Sequence, residues 1–159
     1  YGDHRDLHLS LRRQRQMCIR DRIKENDLAN MHQELDSHEH RLVAFLQTVD
    51  CSAVGAFLEV EVRTEKEAMM AAMVWSQRRQ EGVDRLVVML DNFTPEACKS
   101  VSDQLSEQEL RQHVVLEASG GITLDNLEAW RECGLDVVST SAINRGVKPL
   151  DISMLAQGL

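Results

Sequence analysis

The stretch Leu116-Glu117-Ala118-Ser119-Gly120-Gly121-Ile122-Thr123 joins an apolar run to a pair of glycines and then to a residue suited to cap a helix. The run that enters it, beginning at His113, reads as a buried strand. Two glycines allow close backbone approach to a ligand, and Thr123 is placed to start a helix after them. Free N–H groups at such a turn and at a helix N-terminus converge on one spot, where negative charge is favoured. This is the build of a phosphate cradle. It matches neither the P-loop nor the dinucleotide fingerprint, and the same Gly-Gly also serves a purely steric strand-to-helix turn.

Working outward, the neighbouring segments repeat the strand-then-helix alternation. Upstream, Leu86 to Leu90 is a continuous apolar run, as expected of a strand buried on both faces, and it ends at Asp91-Asn92-Phe93. Thr94-Pro95-Glu96 then caps a helix, with proline at its first position. Earlier still, Ala56 to Val62 alternates, with Leu58, Val60 and Val62 on one face and Glu59 and Glu61 on the other. Thr64-Glu65-Lys66-Glu67 is a capping box for a helix expected to run to about Gln80 and to stop at Gly82. Downstream, a helix is expected over Leu124 to Glu132, a strand over Asp136 to Thr140, and a short closing element over Leu150 to Leu155.

Repeated βα units give an α/β fold with a parallel sheet. In a βα barrel the chemistry sits at the C-terminal ends of the strands. Here those ends carry Glu61, Asp91, Ser119 with Gly120 and Gly121, and Thr140 with Ser141. A chain of 159 residues is short for a closed eight-stranded barrel, which takes about 250 residues. The reading is therefore a partial βα barrel.

Between Asp27 and Thr48, the residues Leu28, Met31, Leu35, Leu42 and Leu46 form one apolar helix stripe. The polar set His32, Glu34, His38, Glu39 and His40 raises a metal site as one possibility. Positions 38 and 40 lie on different sides of a helix, so a solvated face is the favoured reading.

Composition excludes several classes. Apolar residues make up 43%, and no apolar run is long enough for a membrane span. Cys18, Cys51, Cys98 and Cys133 form no CxxC pair and suit a reducing cytoplasm. The net charge is −8, but residues 1–22 hold six of the 18 basic and three of the 26 acidic residues. The remainder therefore carries 12 basic against 23 acidic residues, which argues against nucleic acid as partner. Residues 1–22 lack a sustained period and resemble translated adapter read-through. They read as a non-native or disordered basic segment, with 23–159 as the barrel portion.

Four motifs, Glu59-Val60-Glu61-Val62, Met89-Leu90-Asp91-Asn92-Phe93, Leu116 to Ile122 as quoted, and Leu150-Asp151-Ile152-Ser153, resemble in order and spacing those of the quinolinate phosphoribosyltransferase family. The resemblance covers Ile23 to about Met154, and Ile23-Lys24-Glu25-Asn26 matches the family's Ile-Lys-Asp/Glu-Asn-His segment. It implies the C-terminal βα units of a TIM-like barrel. It also implies transfer of a phosphoribosyl group from phosphoribosyl pyrophosphate to quinolinate, with decarboxylation to nicotinate mononucleotide, a step of NAD synthesis. By the same match Lys24 would lie against the anionic substrates, and Glu61 and Asp91 would hold ribose hydroxyls and Mg2+. Ser119, Gly120 and Gly121, with Thr140, Ser141 and Ala142, would bind phosphate. A cytoplasmic homodimer or larger homo-oligomer is implied, with no nucleic-acid or membrane partner.

The chain departs from the family at Asp27 and Arg145, both commonly histidine there, and at Ser141, commonly glycine. The family's N-terminal domain and earlier strands, which supply cations for the substrate carboxylates, have no counterpart upstream of Ile23, so the chain alone is expected to be inactive. Rival readings are a molybdenum-transport-associated barrel protein and a non-catalytic interaction protein.

Overall fold

In the computed structural model the described residues are 21–51, 57–78 and 85–143. Five strands, β1 (Asp21–Ile23), β2 (Leu58–Val62), β3 (Leu86–Asp91), β4 (Val114–Ser119) and β5 (Val137–Ser139), form one sheet in sequence order, every neighbouring pair parallel. The helices are α1 (Glu25–Met31), α2 (His38–Thr48), α3 (Glu65–Gln77) and α4 (Pro95–Glu107). A doubly wound sheet reverses its strand order at a switch point and carries helices on both faces. Here the order never reverses, which is the winding of a barrel segment.

The pleat sorts the strands into two faces. Leu58, Val60 and Val62, Leu86, Val88 and Leu90, and Val114, Leu116 and Ala118 form one core cluster with the helices. Helix α3 meets it through Ala68, Ala71, Ala72 and Trp75, and α4 through Cys98, Val101 and Leu105, each set at helical spacing. The alternate residues, including Glu59, Glu61, Val87, Met89 and Glu117, are buried outside this cluster and line the inner face. Glu61 is thus buried rather than on a wet face of the sheet.

Local chemistry sets the helix starts. Thr64 and Thr94 accept from the N–H groups of Glu67 and Ala97, at 3.2 Å in both cases. The Glu67 carboxylate accepts from the Arg63 N–H at 2.8 Å, one residue before the reciprocal bond of a standard capping box. Helix α3 ends at Gln77, earlier than expected; Gly82 and the closing element at 150–155 lie outside the described residues.

Three expectations need correction. The single helix over residues 27–48 is two helices. Ser37 caps α2 by accepting from the His40 N–H at 3.1 Å, and Arg41 donates to the His32 carbonyl at 3.2 Å near the end of α1. An apolar repeat survives such a break because the step of seven from Leu35 to Leu42 fits either one helix or two. The polar set is also less solvated than expected: the His38 side chain is largely covered and faces Glu67, while Glu39 pairs with Lys66 at 2.9 Å.

The helix expected over 124–132 is a turn followed by a 3-10 segment, Leu127–Trp130. Thr123 and Asn126 do form a reciprocal pair of cap bonds, at 2.8 and 3.3 Å. Leu124 and Leu127 nevertheless stay exposed, so no buried apolar stripe carries an α-helix forward.

Finally, strand β1 includes Asp21 and Arg22, which pair with Leu58 and Glu59. Residues 1–20 lie outside the described residues.

Candidate active site

Strand register places the site residues. Asp91, Ser119 and Ser139 are register partners in one row across the C-terminal rim of the inner face. One step deeper run Glu61, Met89, Glu117 and Val137. Glu61 and Asp91 are therefore diagonal neighbours on adjacent strands and share a face.

Lys24 follows β1 directly, and its Nζ lies 3.1 Å from Glu61 Oε2. The structure thus brings together the lysine and one of the two acids named from sequence. Asp27, the departure from the family's histidine, has a local use: its carboxylate accepts from the Lys24 backbone N–H at 3.0 Å and fixes the residue that carries the cation. Arg63, at the end of β2, lies 3.9 Å from Glu61 through its second guanidinium nitrogen and pairs with Glu25 through its first. Arg63 escaped the sequence reading because its partner Glu25 comes from the segment after β1. The available signal was a cation two residues beyond Glu61.

Deeper on the same face, the Arg22 Nε donates to Glu59 at 2.7 Å, and its second terminal nitrogen lies 3.7 Å from Glu117. Glu117 also accepts from the Ser139 hydroxyl at 2.5 Å. These buried acids are hydrogen-bonded, as burial of charge requires.

The Gly-Gly turn has φ values of +97° at Gly120 and +63° at Gly121. The two glycines do different work. A Cβ on Gly120 would sit 2.3 Å from the Asn92 side-chain oxygen, whereas one on Gly121 would meet nothing within 4 Å. Gly121 faces open space, where a ligand has room. The Asn126 amide donates to the Gly121 carbonyl at 3.0 Å and holds the turn from below. Because only a 3-10 segment follows, no α-helix dipole supports this turn, leaving its own N–H groups as donors.

The loop after β5 is tied to this turn. Thr140 donates its hydroxyl to the Ile122 carbonyl at 2.5 Å and accepts from the Ala142 N–H at 3.0 Å. Its side chain is thus engaged in holding two loops together. Ser141 and Ala142 sit beside it at the rim. Beneath, Asp136 accepts from the Leu116 N–H at 2.8 Å and pairs with Arg111 at 2.7 Å, which keeps β5 against β4. Arg145 and the Leu150-Asp151-Ile152-Ser153 motif lie outside the described residues.

For a metal, the donor set is carboxylate oxygen, the hard ligand that Mg2+ prefers. No cluster of three or more metal-ligating side chains occurs among the described residues. Glu61 and Asp91 fit the manner in which Mg2+ is usually held, by one or two carboxylates with substrate phosphates completing the shell.

Residues 20–155 match the family model described as quinolinate phosphoribosyl transferase, C-terminal domain. The chain belongs to this family. A probable carboxylating nicotinate-nucleotide pyrophosphorylase of Methanothermobacter thermautotrophicus is 36% identical over 64% of this chain and 33% of its own length. The Dictyostelium discoideum nicotinate-nucleotide pyrophosphorylase is 34% identical over 82% of this chain and 41% of its own. The chain thus spans about a third to two fifths of the length of these relatives. Among solved structures, a deletion mutant of NadC superposes with a TM-score of 0.54 at 24% identity, covering 85% of this chain and 40% of that one, and supports the fold. No described helix is long and apolar enough to cross a membrane.

Proposed function

We propose that the protein transfers the phosphoribosyl group of phosphoribosyl pyrophosphate to the ring nitrogen of quinolinate, releasing pyrophosphate and CO2 and leaving nicotinate mononucleotide. The observation that carries this reading is the shared rim on which the Lys24–Glu61 pair and the Asp91, Ser119, Gly120 and Gly121 end of the sheet stand.

In this reading the backbone donors around Gly121, with the Thr140-Ser141-Ala142 loop, hold the ribose phosphate. Glu61 and Asp91 hold the ribose hydroxyls, and their charge stabilises the oxocarbenium-like ribose that forms as the bond to pyrophosphate breaks. The ring nitrogen then supplies the electron pair of the new bond. The resulting ring cation stabilises the electron pair left when the adjacent carboxylate departs as CO2, and a proton replaces it. Lys24 faces the anionic substrates and offsets their charge. Mg2+, when held by Glu61 and Asp91, would supply charge neutralisation for the leaving pyrophosphate. The protein works in the cytoplasm as a homodimer or larger homo-oligomer; the free, buried thiols of Cys51, Cys98 and Cys133 support the reducing compartment.

The test is nicotinate mononucleotide formation from quinolinate and phosphoribosyl pyrophosphate, with and without Mg2+, by the complete gene product and by the chain of residues 1–159. Turnover by the gene product that requires Mg2+ is expected; none with quinolinate would overturn the reading. The chain alone should be more than about tenfold slower, since quinolinate's two carboxylates need several matched charge-assisted contacts and Lys24 is already engaged by Glu61.

A further inference from the structure

We infer that Asn92 is a positioning residue that sets the Asp91 carboxylate at a fixed place relative to the Gly120–Gly121 turn, so that one phosphoribosyl ligand meets both. The inference rests on the proposed transfer reaction and adds to it a residue with no direct part in the chemistry.

Asn92 is one of two non-glycine residues with positive φ among the described residues, at +58°. Asparagine tolerates this region better than most side chains. The conformation turns the chain sharply at the end of β3, and three contacts follow from it. The Asn92 backbone N–H donates to the Ser119 carbonyl at 2.8 Å, just past the Asp91–Ser119 register pair. Its side-chain amide donates to Asp91 Oδ2, also at 2.8 Å. Its side-chain oxygen lies 2.3 Å from where a Cβ on residue 120 would stand, too close for one to fit. A carboxylate only accepts hydrogen bonds, so the NH2 end of the amide must face Asp91 and the oxygen end must face Gly120.

One side chain thus touches the acid on β3 and the turn after β4. The geometry also reassigns the two glycines: residue 120 is glycine to admit Asn92, and residue 121 is glycine for the conformation it takes beside open space. A bond from Asn92 to only one of these partners would be ordinary turn chemistry. Contact with both makes the amide a spacer between the group that would hold ribose hydroxyls and the group that would hold phosphate.

The experiment compares Asn92→Gly and Asn92→Asp with wild type in the complete gene product. Glycine keeps the positive φ without strain and removes both side-chain contacts. Aspartate keeps the shape and the backbone tolerance but sets a second carboxylate against Asp91. With thermal midpoints recorded as a folding control, Asn92→Gly should raise KM for phosphoribosyl pyrophosphate about tenfold and leave KM for quinolinate unchanged. Asn92→Asp should lose more, about a hundredfold in kcat/KM, through like-charge repulsion. A folding defect alone would lower kcat by the inactive fraction and move neither KM. Asn92→Gly with KM for phosphoribosyl pyrophosphate within about twofold of an active wild type would overturn the inference while leaving the reaction standing. A wild type with no turnover would overturn the reaction and this inference with it.

Discussion

The two faces of the sheet are made by the same strands and differ in almost every physical respect. On the helix-covered face, Val60, Val88, Leu116 and Ala118 are fully buried among aliphatic neighbours. On the other face, one residue away along each strand, stand Met89 and the acids Glu59, Glu61 and Glu117, all buried, with the acids held by cations and, at Glu117, by a hydroxyl as well. A period of two in the chain thus separates the apolar core from the acid-bearing face on which the proposed reaction would run. A substitution on the first face should act through stability, and one on the second through activity.

The sharpest way to break that division is to compare Leu116→Ala with Glu61→Gln. Leu116 is fully buried in the centre of the core cluster, and its truncation should lower the unfolding free energy by about 2–5 kcal/mol, read from urea midpoints. Glu61→Gln keeps the shape and releases a half-exposed Lys24 to water, so the midpoint should move by less than about 1 kcal/mol. Turnover, by contrast, should fall about a hundredfold or more as a carboxylate facing the developing charge is lost. Equal loss of stability in both variants would show that the inner face is structural as well.

The two glycines of the turn sharpen the comparison at a single dipeptide. Gly121→Val faces open space and should weaken binding of phosphoribosyl pyrophosphate by more than about tenfold, measured by calorimetry, because a branched side chain blocks close approach and resists φ of +63°. Gly120→Ala collides with Asn92 and should cost stability first. Equal ligand affinity in wild type and Gly121→Val would remove the turn from the site.

The same division decided what was legible in the sequence. Strands β2, β3 and β4 and the caps at Thr64 and Thr94 could be read because alternation, apolar runs and cap hydroxyls are local signals. The break before α2 could not be read from the leucine stripe, although Ser37 was an available cap signal. The expected helix after Thr123 was misread for a related reason: its cap bonds form, but Leu124 and Leu127 find nothing to pack on. In the site, Glu61 and Asp91 stood out through their positions at strand ends, and Lys24 through the resemblance of Ile23-Lys24-Glu25-Asn26 to the family's segment. Arg63 and Asn92 did not, since Glu25 and Gly120 are brought beside them by register between strands, and no local pattern in the chain encodes which residues will stand side by side.

A third prediction concerns the outer face under alkaline conditions. Burial pushes the Cys98 thiol up to about 12, with the neighbouring Cys133 adding to the effect, against an ordinary value of 9.0. Between these values the unfolded chain releases a proton that the folded chain keeps, so the unfolded state binds fewer protons and stability falls as pH rises. This contribution should be complete below pH 9 and lost progressively from there toward pH 12. Cys98→Ala should flatten the decline of the unfolding midpoint across that window. An unchanged slope would mean that other groups govern alkaline unfolding.

The smallest effect should come from Ser119→Ala. Ser119 ends β4 on the inner face, in register with Asp91 on one side and Ser139 on the other, and its carbonyl already accepts from the Asn92 N–H. The backbone of residue 119 therefore serves the turn whatever its side chain. The hydroxyl adds at most one ordinary hydrogen bond to a bound phosphate, worth about 1 kcal/mol, or roughly fivefold in affinity for phosphoribosyl pyrophosphate. On the proposed reading the turn holds phosphate through glycine conformation and main-chain N–H groups, so this loss should be well below that of Gly121→Val, with the thermal midpoint unmoved. A Ser119→Ala defect as deep as the glycine's would instead make the serine hydroxyl the principal phosphate ligand and place the burden of recognition on side chains at the rim.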